Sequence, residues 1–346
     1  MYFPGRIELI FGPMFAGKTT ELLRRIKRAE LARFQCIIIK YAKDDRYSTD
    51  KVSTHDMNTQ SAFSTNLLIP CYEMCSKYDV IGVDEGQFFP DIVEFSEKLA
   101  NNGKVVIIAG LDGTYQRKPF GNLIYLISKC EKITKLTAIC TETGSEASFT
   151  QRTIKSDEIE LIGGANMYRA ASRKSFFGIN TNGEIHLIIG PVKSGKTTEL
   201  IRVLFRYKIA KKNPILLYHK KFEPPKDQRV EVKSITQLPS LDELKNYDVI
   251  GIDQAECFEY IADWADKIAN SGKLVIASAQ EGDQNQNAFD PIVKLFPLCE
   301  RVTKLDSICP FTGGIAPFNV LYNSDMIPIS RFALLHINSF LVKIQK

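Results

Sequence analysis

Two short stretches carry residue types at a spacing that serves phosphate chemistry. GPMFAGKT comprises Gly12, Pro13, Met14, Phe15, Ala16, Gly17, Lys18 and Thr19, and GPVKSGKT runs from Gly190 through Gly195, Lys196 and Thr197. Both satisfy G-x-x-x-x-G-K-[ST], and each follows an apolar strand pattern and opens a helical one, which is the context the motif requires. Glycines let backbone N–H groups curl around phosphate oxygens, and the helix N-terminus adds favourable potential. In that arrangement Lys18 reaches the outer phosphates and Thr19 offers a hydroxyl to Mg²⁺. The pattern points to a nucleoside triphosphate in at least one half of the chain.

A second pair of passages follows, DEGQFFPDIV from Asp84 and DQAECFEYIA from Asp253, each behind an apolar YDVIG lead-in. An acid ending the strand after a phosphate loop suits the second Mg²⁺ position, through Asp84 or Asp253. A helix N-cap is the structural alternative. The next residue separates the halves. Glu85 is a carboxylate at the carboxyl end of the sheet, placed to accept a proton from an attacking hydroxyl. Gln254 holds the same place in the second copy, and an amide cannot usefully take that proton.

The elements that must position these groups occur twice. GRIELIFGP at 5–13 recurs as GEIHLIIGP at 183–191, KVVIIAGLDG at 104–113 as KLVIASAQEG at 273–282, and CEKITKLTAIC at 130–140 as CERVTKLDSIC at 299–309. The offset falls from 178 to 169, so nine residues are missing from the second copy between its first helix and its acidic strand. A period this long is a duplicated domain, not a solenoid. RIELIF, CIIIKY, DVIGVD and KVVIIAG are apolar nearly throughout, as parallel strands covered on both faces are. TTELLRRIKRAELARF and PDIVEFSEKLANNGK read as helices between them, with Leu22, Ile26, Ala29 and Arg33 along one face of the first. Arg24, Arg25, Lys27 and Arg28 read as its solvated basic face. The expected fold is α/β: a mostly parallel P-loop sheet with helices on both faces, duplicated in tandem. The Gly- and Asn-containing FFGINTNGE places the joint near 178, giving domains 1–178 and 179–346.

The bulk numbers bound the rest. With 346 residues, 44% hydrophobic and 25% charged, the chain is ordinary for globular proteins and long enough for two cores. Its start lacks a signal-peptide pattern, and FALLHINSFLV is too short and too polar to span a bilayer, so no membrane partner and a cytoplasmic location are expected. Eight cysteines, several in apolar runs, suit reduced packed thiols. A net charge of +5 favours anionic ligands but brings no basic track with interleaved aromatics, so no nucleic-acid partner is expected.

The combination GPMFAGKTTELLRR, KYAKDDRYS, THD, IGVDEGQFFPDIVEF, LDGTYQRKPF and EIELIGGANMYR closely resembles the cellular and poxviral type of thymidine kinase over residues 5–175. The second half resembles the same family in its scaffold only. The resemblance implies ATP-dependent phosphorylation of the 5′-hydroxyl of thymidine, and of deoxyuridine, with Glu85 as general base. Lys18, Thr19 and Asp84 would hold Mg²⁺ and ATP, with Asp44, Arg46 and Arg117 on the phosphate side. Met14, Phe88, Leu111, Thr114, Tyr115 and Phe120 would wall the thymine. A lasso subdomain, about 137–175, would close over the base through Leu161, Gly163 and Tyr168. Without the resemblance Phe88, Leu111 and Phe120 read as core, and His55 of THD as a structural hydrogen-bonder.

The sequence departs from the family pattern in two places. Four cysteines in two C-x-x-C pairs would form a structural zinc site in the lasso subdomain, but here they read CTET (140–143) and SRKS (172–175), one thiol of four. Hydroxyls are poor zinc ligands, so no zinc is expected. In the second half LDGTYQRKPF has become AQEGDQNQNAF and AKDDRY has become HKKFEPP, while Lys196, Thr197 and Asp253 survive. That half is therefore expected to serve as scaffold or regulator, with retained nucleotide binding and mere ancestry both open, and two tandem chains would form a pseudo-tetramer. Two other readings stay in view: a regulatory protein using both phosphate loops as switches, and a P-loop ATPase acting on nucleic acid.

Overall fold

The computed structural model describes residues 5–43, 51–53, 59–154, 163, 164, 166–227, 229–322 and 324–337. Asp44, Arg46, His55 and Leu161 lie outside the described residues. The chain divides into two compact units, Met1–Ser172 and Arg173–Lys346. The boundary falls ahead of the glycine-rich joint because Arg173 is buried within the second unit. Its guanidinium bonds Asp266, Asn270, Glu300 and the carbonyl of Leu298.

In the first unit the main sheet comprises β1 (Arg6–Phe11), β2 (Cys36–Tyr41), β3 (Phe63–Thr65), β4 (Val80–Val83), β5 (Val105–Gly110) and β6 (Lys132–Lys135). The order is β3-β2-β4-β5-β1-β6, parallel at every pairing. Both faces are covered, which explains the unbroken apolar runs. On one face α1 (Lys18–Leu31) packs Leu22 and Ile26 against Ile10, Ile38, Ile107 and Ala109. The alternate residues Leu9, Phe11, Val106 and Ile108 are fully buried, and α2 (Ile92–Asn101) packs on β1 and β5.

Two sequence expectations for α1 change. The helix stops at Leu31, and Arg33 adopts a left-handed φ of 65° beyond it, so Arg33 is not on the apolar face. Arg25 does not belong to a solvated face. It is buried, with its guanidinium on Glu21 and Glu8 at 2.8 Å each and on the Thr134 hydroxyl at 2.9 Å. The Glu8 carboxyl is held below its ordinary value against the pull of burial, by Arg6 and then Arg25.

The second unit repeats the plan with β7 (Glu184–Ile189), α3 (Lys196–Ile209), β8 (Pro214–His219), β9 (Glu231–Ile235), β10 (Val249–Asp253), α4 (Ile261–Asn270), β11 (Leu274–Ala279), α5 (Asp290–Leu295) and β12 (Arg301–Lys304). Its strand order, β9-β8-β10-β11-β7-β12, matches that of the first unit position for position.

Each unit ends in two small antiparallel hairpins, Ala138–Ile139 with Glu146–Ala147 and Phe149–Arg152 with Tyr168–Ala171 in the first. In the second unit Phe318–Tyr322 pairs directly with Asp325–Ile329. The hairpin is therefore kept there, and only the long connection between its strands is gone. No helix among the described residues is long and apolar enough to cross a membrane.

Candidate active site

The phosphate loop of the first unit lies between β1 and α1. Gly17 caps the helix with φ 77°, the left-handed region that glycine enters without strain. Lys18 Nζ donates to the carbonyl of Pro13 at 2.8 Å, and the N–H of Met14 is fixed by the Thr150 hydroxyl at 2.9 Å. Thr19 Oγ1 donates to both carboxylate oxygens of Asp84, at 3.2 and 3.0 Å. Phe15 and Ala16 pack on the small subdomain around Ala138, Cys140, Ala147 and Ala170.

Asp84 is buried, and that burial, followed by the charge of Glu85, pushes its carboxyl well up. A buried carboxylate bonded to a neutral hydroxyl, beside a second carboxylate, is a hard-oxygen donor set that a divalent cation would stabilise. The residues therefore fit Mg²⁺ held by Thr19 and Asp84. Asp84 is not the cap of the short turn that follows it, and both its oxygens accept from the phosphate-loop threonine.

Glu85 sits just past β4 with φ 55°, a strained value for a residue with a Cβ. Its Oε2 accepts from Gln87 Nε2 at 2.7 Å, and Gln87 Oε1 accepts from the N–H of Leu111 at 3.0 Å. One amide thus ties the carboxylate to the loop after β5. Phe88 stacks on Tyr41 at 5.1 Å and meets Phe120 edge-on at 5.6 Å. Phe120 is buried, and Phe88 and Leu111 are half-buried.

The turn after β5 closes through Thr114, whose N–H donates to the carbonyl of Lys118 at 2.8 Å. It brings Tyr115 to the hairpin, where the Arg152 guanidinium lies 3.8 Å from the Tyr115 ring centre and donates to the Tyr168 hydroxyl at 2.8 Å. Arg117 lies over the Phe149 ring at 5.4 Å, which ties it to the small subdomain. Gly163 is crowded by Met167, whose sulfur lies where it would meet a Cβ. Sequence reasoning missed Tyr41, Gln87, Thr150 and Arg152. Gln87 was visible in DEGQ, two residues after the acid, but the other three carried no local signal.

The second unit keeps the cradle and changes what faces it. Gly195 has φ 83°, Lys196 Nζ donates to the Pro191 carbonyl at 2.6 Å, and Thr197 Oγ1 donates to Asp253 at 2.8 Å. Asn319 replaces Thr150 in fixing the loop, through the N–H of Val192 at 2.8 Å. Gln254 turns its amide to Asp253 at 2.6 Å. The carboxylate has not vanished from this site: it has moved two residues on, to Glu256, where the first unit has Gln87. Burial pushes Glu256 up to about 7, while the backbone N–H groups of Glu256 and Gln280 and the charge of Lys196 pull it down.

A family model described as thymidine kinase matches residues 5–176 and again 183–329. The chain belongs to the thymidine kinase family. Thymidine kinase 1 of Dictyostelium discoideum is 57% identical over 173 residues, 49% of this chain and 76% of that protein. The cytosolic thymidine kinase of Gallus gallus is 53% identical over 173 residues, 50% of this chain and 77% of its own length. The thymidine kinase of Vaccinia virus (strain Ankara) is 51% identical over 174 residues, 50% of this chain and 98% of its own. The two matched segments and the two identical strand orders make this a thymidine kinase domain present twice.

At the place where the resemblance implied zinc, both copies build a knot of hydrogen bonds. Thr143 Oγ1 lies 3.3 Å from Ser172 Oγ, and Thr312 Oγ1 lies 3.3 Å from Ser330 Oγ. Burial pushes the Cys140 thiol up, yet it falls to about 6 because the Thr143 and Ser172 hydroxyls and backbone N–H groups bond its sulfur. Thr312 and Ser330 lower Cys309 in the same way. Among the described residues no group of three or more His, Cys, Asp or Glu is placed to hold a metal ion.

Proposed function

We propose that the first unit transfers the γ-phosphoryl group of ATP to the 5′-hydroxyl of thymidine, and of deoxyuridine, and that Glu85 accepts the hydroxyl proton. The observation that carries this is the join between Glu85 and the nucleoside wall. Gln87 orients the carboxylate with one end and binds the loop of Leu111 with the other, so base and acceptor pocket move as one piece. Phe88, Phe120 and Tyr41 give the pyrimidine an apolar slot, with Met14 and Leu111 beside it. Arg152 locks Tyr115 against Tyr168 at the sugar side.

In this reading the backbone of Gly12–Thr19 cradles the phosphates, and Lys18 leaves the Pro13 carbonyl to meet the outer ones. Thr19 and Asp84 would hold Mg²⁺, which when bound would supply positive charge to the phosphate chain. The sugar oxygen attacks γ-phosphorus, its proton passes to Glu85, and the bond to the bridging oxygen breaks to release ADP. The family resemblance assigns Asp44 and Arg46, with Arg117, to the phosphate side and Leu161 and Gly163 to the base.

The second unit does not share this reaction. Gln254 stands at the base position, and Cys257, Gln280, Gln284 and Gln286 stand where the first unit has Phe88, Leu111, Tyr115 and Arg117. Two tandem chains forming a pseudo-tetramer, without zinc, complete the proposal. Transfer of labelled γ-phosphate to thymidine tests the reaction: the wild-type chain makes labelled monophosphate and Lys18→Met does not. Transfer by Lys18→Met above a tenth of the wild-type rate overturns it.

A further inference from the structure

The site of the second unit is altered but not dismantled. Asp253, Glu256 and Glu281 all act electrostatically on Lys196, so three carboxylates converge on the phosphate-loop lysine. By position Asp253 and Glu281 match Asp84 and Asp112 of the first unit, while the acid of Glu85 is exchanged for Glu256 two residues further on. Glu256 takes the N–H of Gln280, as Gln87 takes that of Leu111. Its other oxygen, Oε2, is shut off from solvent and has no hydrogen-bond partner, as are Gln254 Oε1, Glu281 Oε2 and Ser194 Oγ. Glu281 is only 3% exposed and is ion-paired to Lys304 through its other oxygen. The corresponding Glu85, Gln87 and Asp112 of the first unit show no such atom.

Buried acceptors without a donor are costly, so a cluster of them selects a ligand that brings O–H or N–H groups. A pyrimidine slot offers apolar contact instead, and that slot is gone here, together with the long connection of the hairpin. Water is the smallest donor that fits beside a cradled triphosphate.

We propose that the second unit is a nucleoside triphosphatase, in which Glu256 takes the proton of a water that attacks the γ-phosphorus. The water oxygen bonds to phosphorus and the bond to the β,γ-bridging oxygen breaks, its electron pair leaving with the diphosphate. The proton passes to Glu256 Oε2 and then to solvent, and the products are nucleoside diphosphate and inorganic phosphate. Lys196 binds the phosphate chain, and Gln254 and Ser194 orient the water. This activity needs no thymidine and is independent of the first unit.

The test uses the full chain carrying Lys18→Ala, which disables the first phosphate loop, with Mg²⁺ and ATP and without thymidine. Released phosphate is followed over hours, and folding is checked by circular dichroism. The Lys18→Ala chain releases phosphate steadily, and adding Glu256→Gln slows release by about 10²-fold or more, the ordinary effect of losing a general base. Adding Lys196→Ala slows it at least as much. Glu256→Gln is isosteric, so its loss of activity with an unchanged melt reports chemistry and not folding. Release no faster than in buffer from the Lys18→Ala chain, or unchanged release after either second substitution, overturns the proposal. Thymidine phosphorylation by the wild-type chain is scored separately, so the two readings fail independently.

Discussion

Replacing Glu85 by Gln removes the proton acceptor proposed for the first unit, together with the charge that helps to raise Asp84. The protein supplies its own control for folding, because Gln254 occupies the matching backbone position with φ 56° against 55° for Glu85. The left-handed backbone therefore tolerates the amide, and the melting temperature should not move. The phosphate loop and the aromatic residues keep their places, and Asp84, relieved of a neighbouring charge, ionises more readily, so binding of both substrates should persist. Loss of a positioned general base costs a factor of about 10²–10⁴. At 1.36 kcal/mol per decade that is about 2.7–5.4 kcal/mol of transition-state stabilisation. The loss should fall on kcat with KM for thymidine nearly constant, because the proton moves only in the transition state. Steady-state transfer of labelled phosphate to thymidine measures both parameters. A variant retaining more than a tenth of wild-type kcat would refute the role assigned to this carboxylate, and a raised KM with normal kcat would make Glu85 a binding residue instead.

Arg152→Ala separates Tyr115 from Tyr168; a partly desolvated cation–π contact is worth about 0.5–2 kcal/mol, so KM for thymidine should rise about 2- to 30-fold while KM for ATP stays. Unchanged thymidine KM would show that the bridge does not shape the nucleoside pocket. Arg173→Met strands the carboxylates of Asp266 and Glu300, and breaking a buried pair this way costs about 3–5 kcal/mol. For a unit of this size each kcal/mol moves Tm by about 2–4 °C, so calorimetry should show a drop of about 6–20 °C in one transition. The Cys140 thiol is depressed from 9.0 to about 6 on folding, so its stabilisation is complete above pH 9 and lost as pH falls through about 6. Wild-type Tm should therefore climb between pH 6 and 9, and Cys140→Ser should flatten that slope. A flat wild-type profile would dissolve the thiolate assignment.

Much of the site was legible before any coordinates. The phosphate loops declare themselves because their chemistry is local: glycines, a lysine and a threonine at fixed spacing force one backbone path. The parallel sheet was legible from runs such as KVVIIAG, since a strand covered on both faces has no polar side to show. The duplication was legible because its offset holds over long segments. Asp84 and Glu85 could be ranked because they end an apolar strand downstream of such a loop.

Tertiary structure alone decided the rest, because these features join residues far apart in the chain. Arg25 reads as a surface base on a helix wheel and is buried by Glu8, a strand away. Arg152 has no motif and joins Tyr168 to Tyr115 only when a hairpin brings the two together. The thiol and hydroxyl groups of Cys140, Thr143 and Ser172 look like a ruined metal site in sequence and are a satisfied hydrogen-bond knot in space. The exchange between Glu85 with Gln87 and Gln254 with Glu256 was written in the letters all along. It acquired meaning only when the fold set each carboxylate beside its own strand-end aspartate, Asp84 or Asp253, since the charge a group feels depends on distance through space and not along the chain.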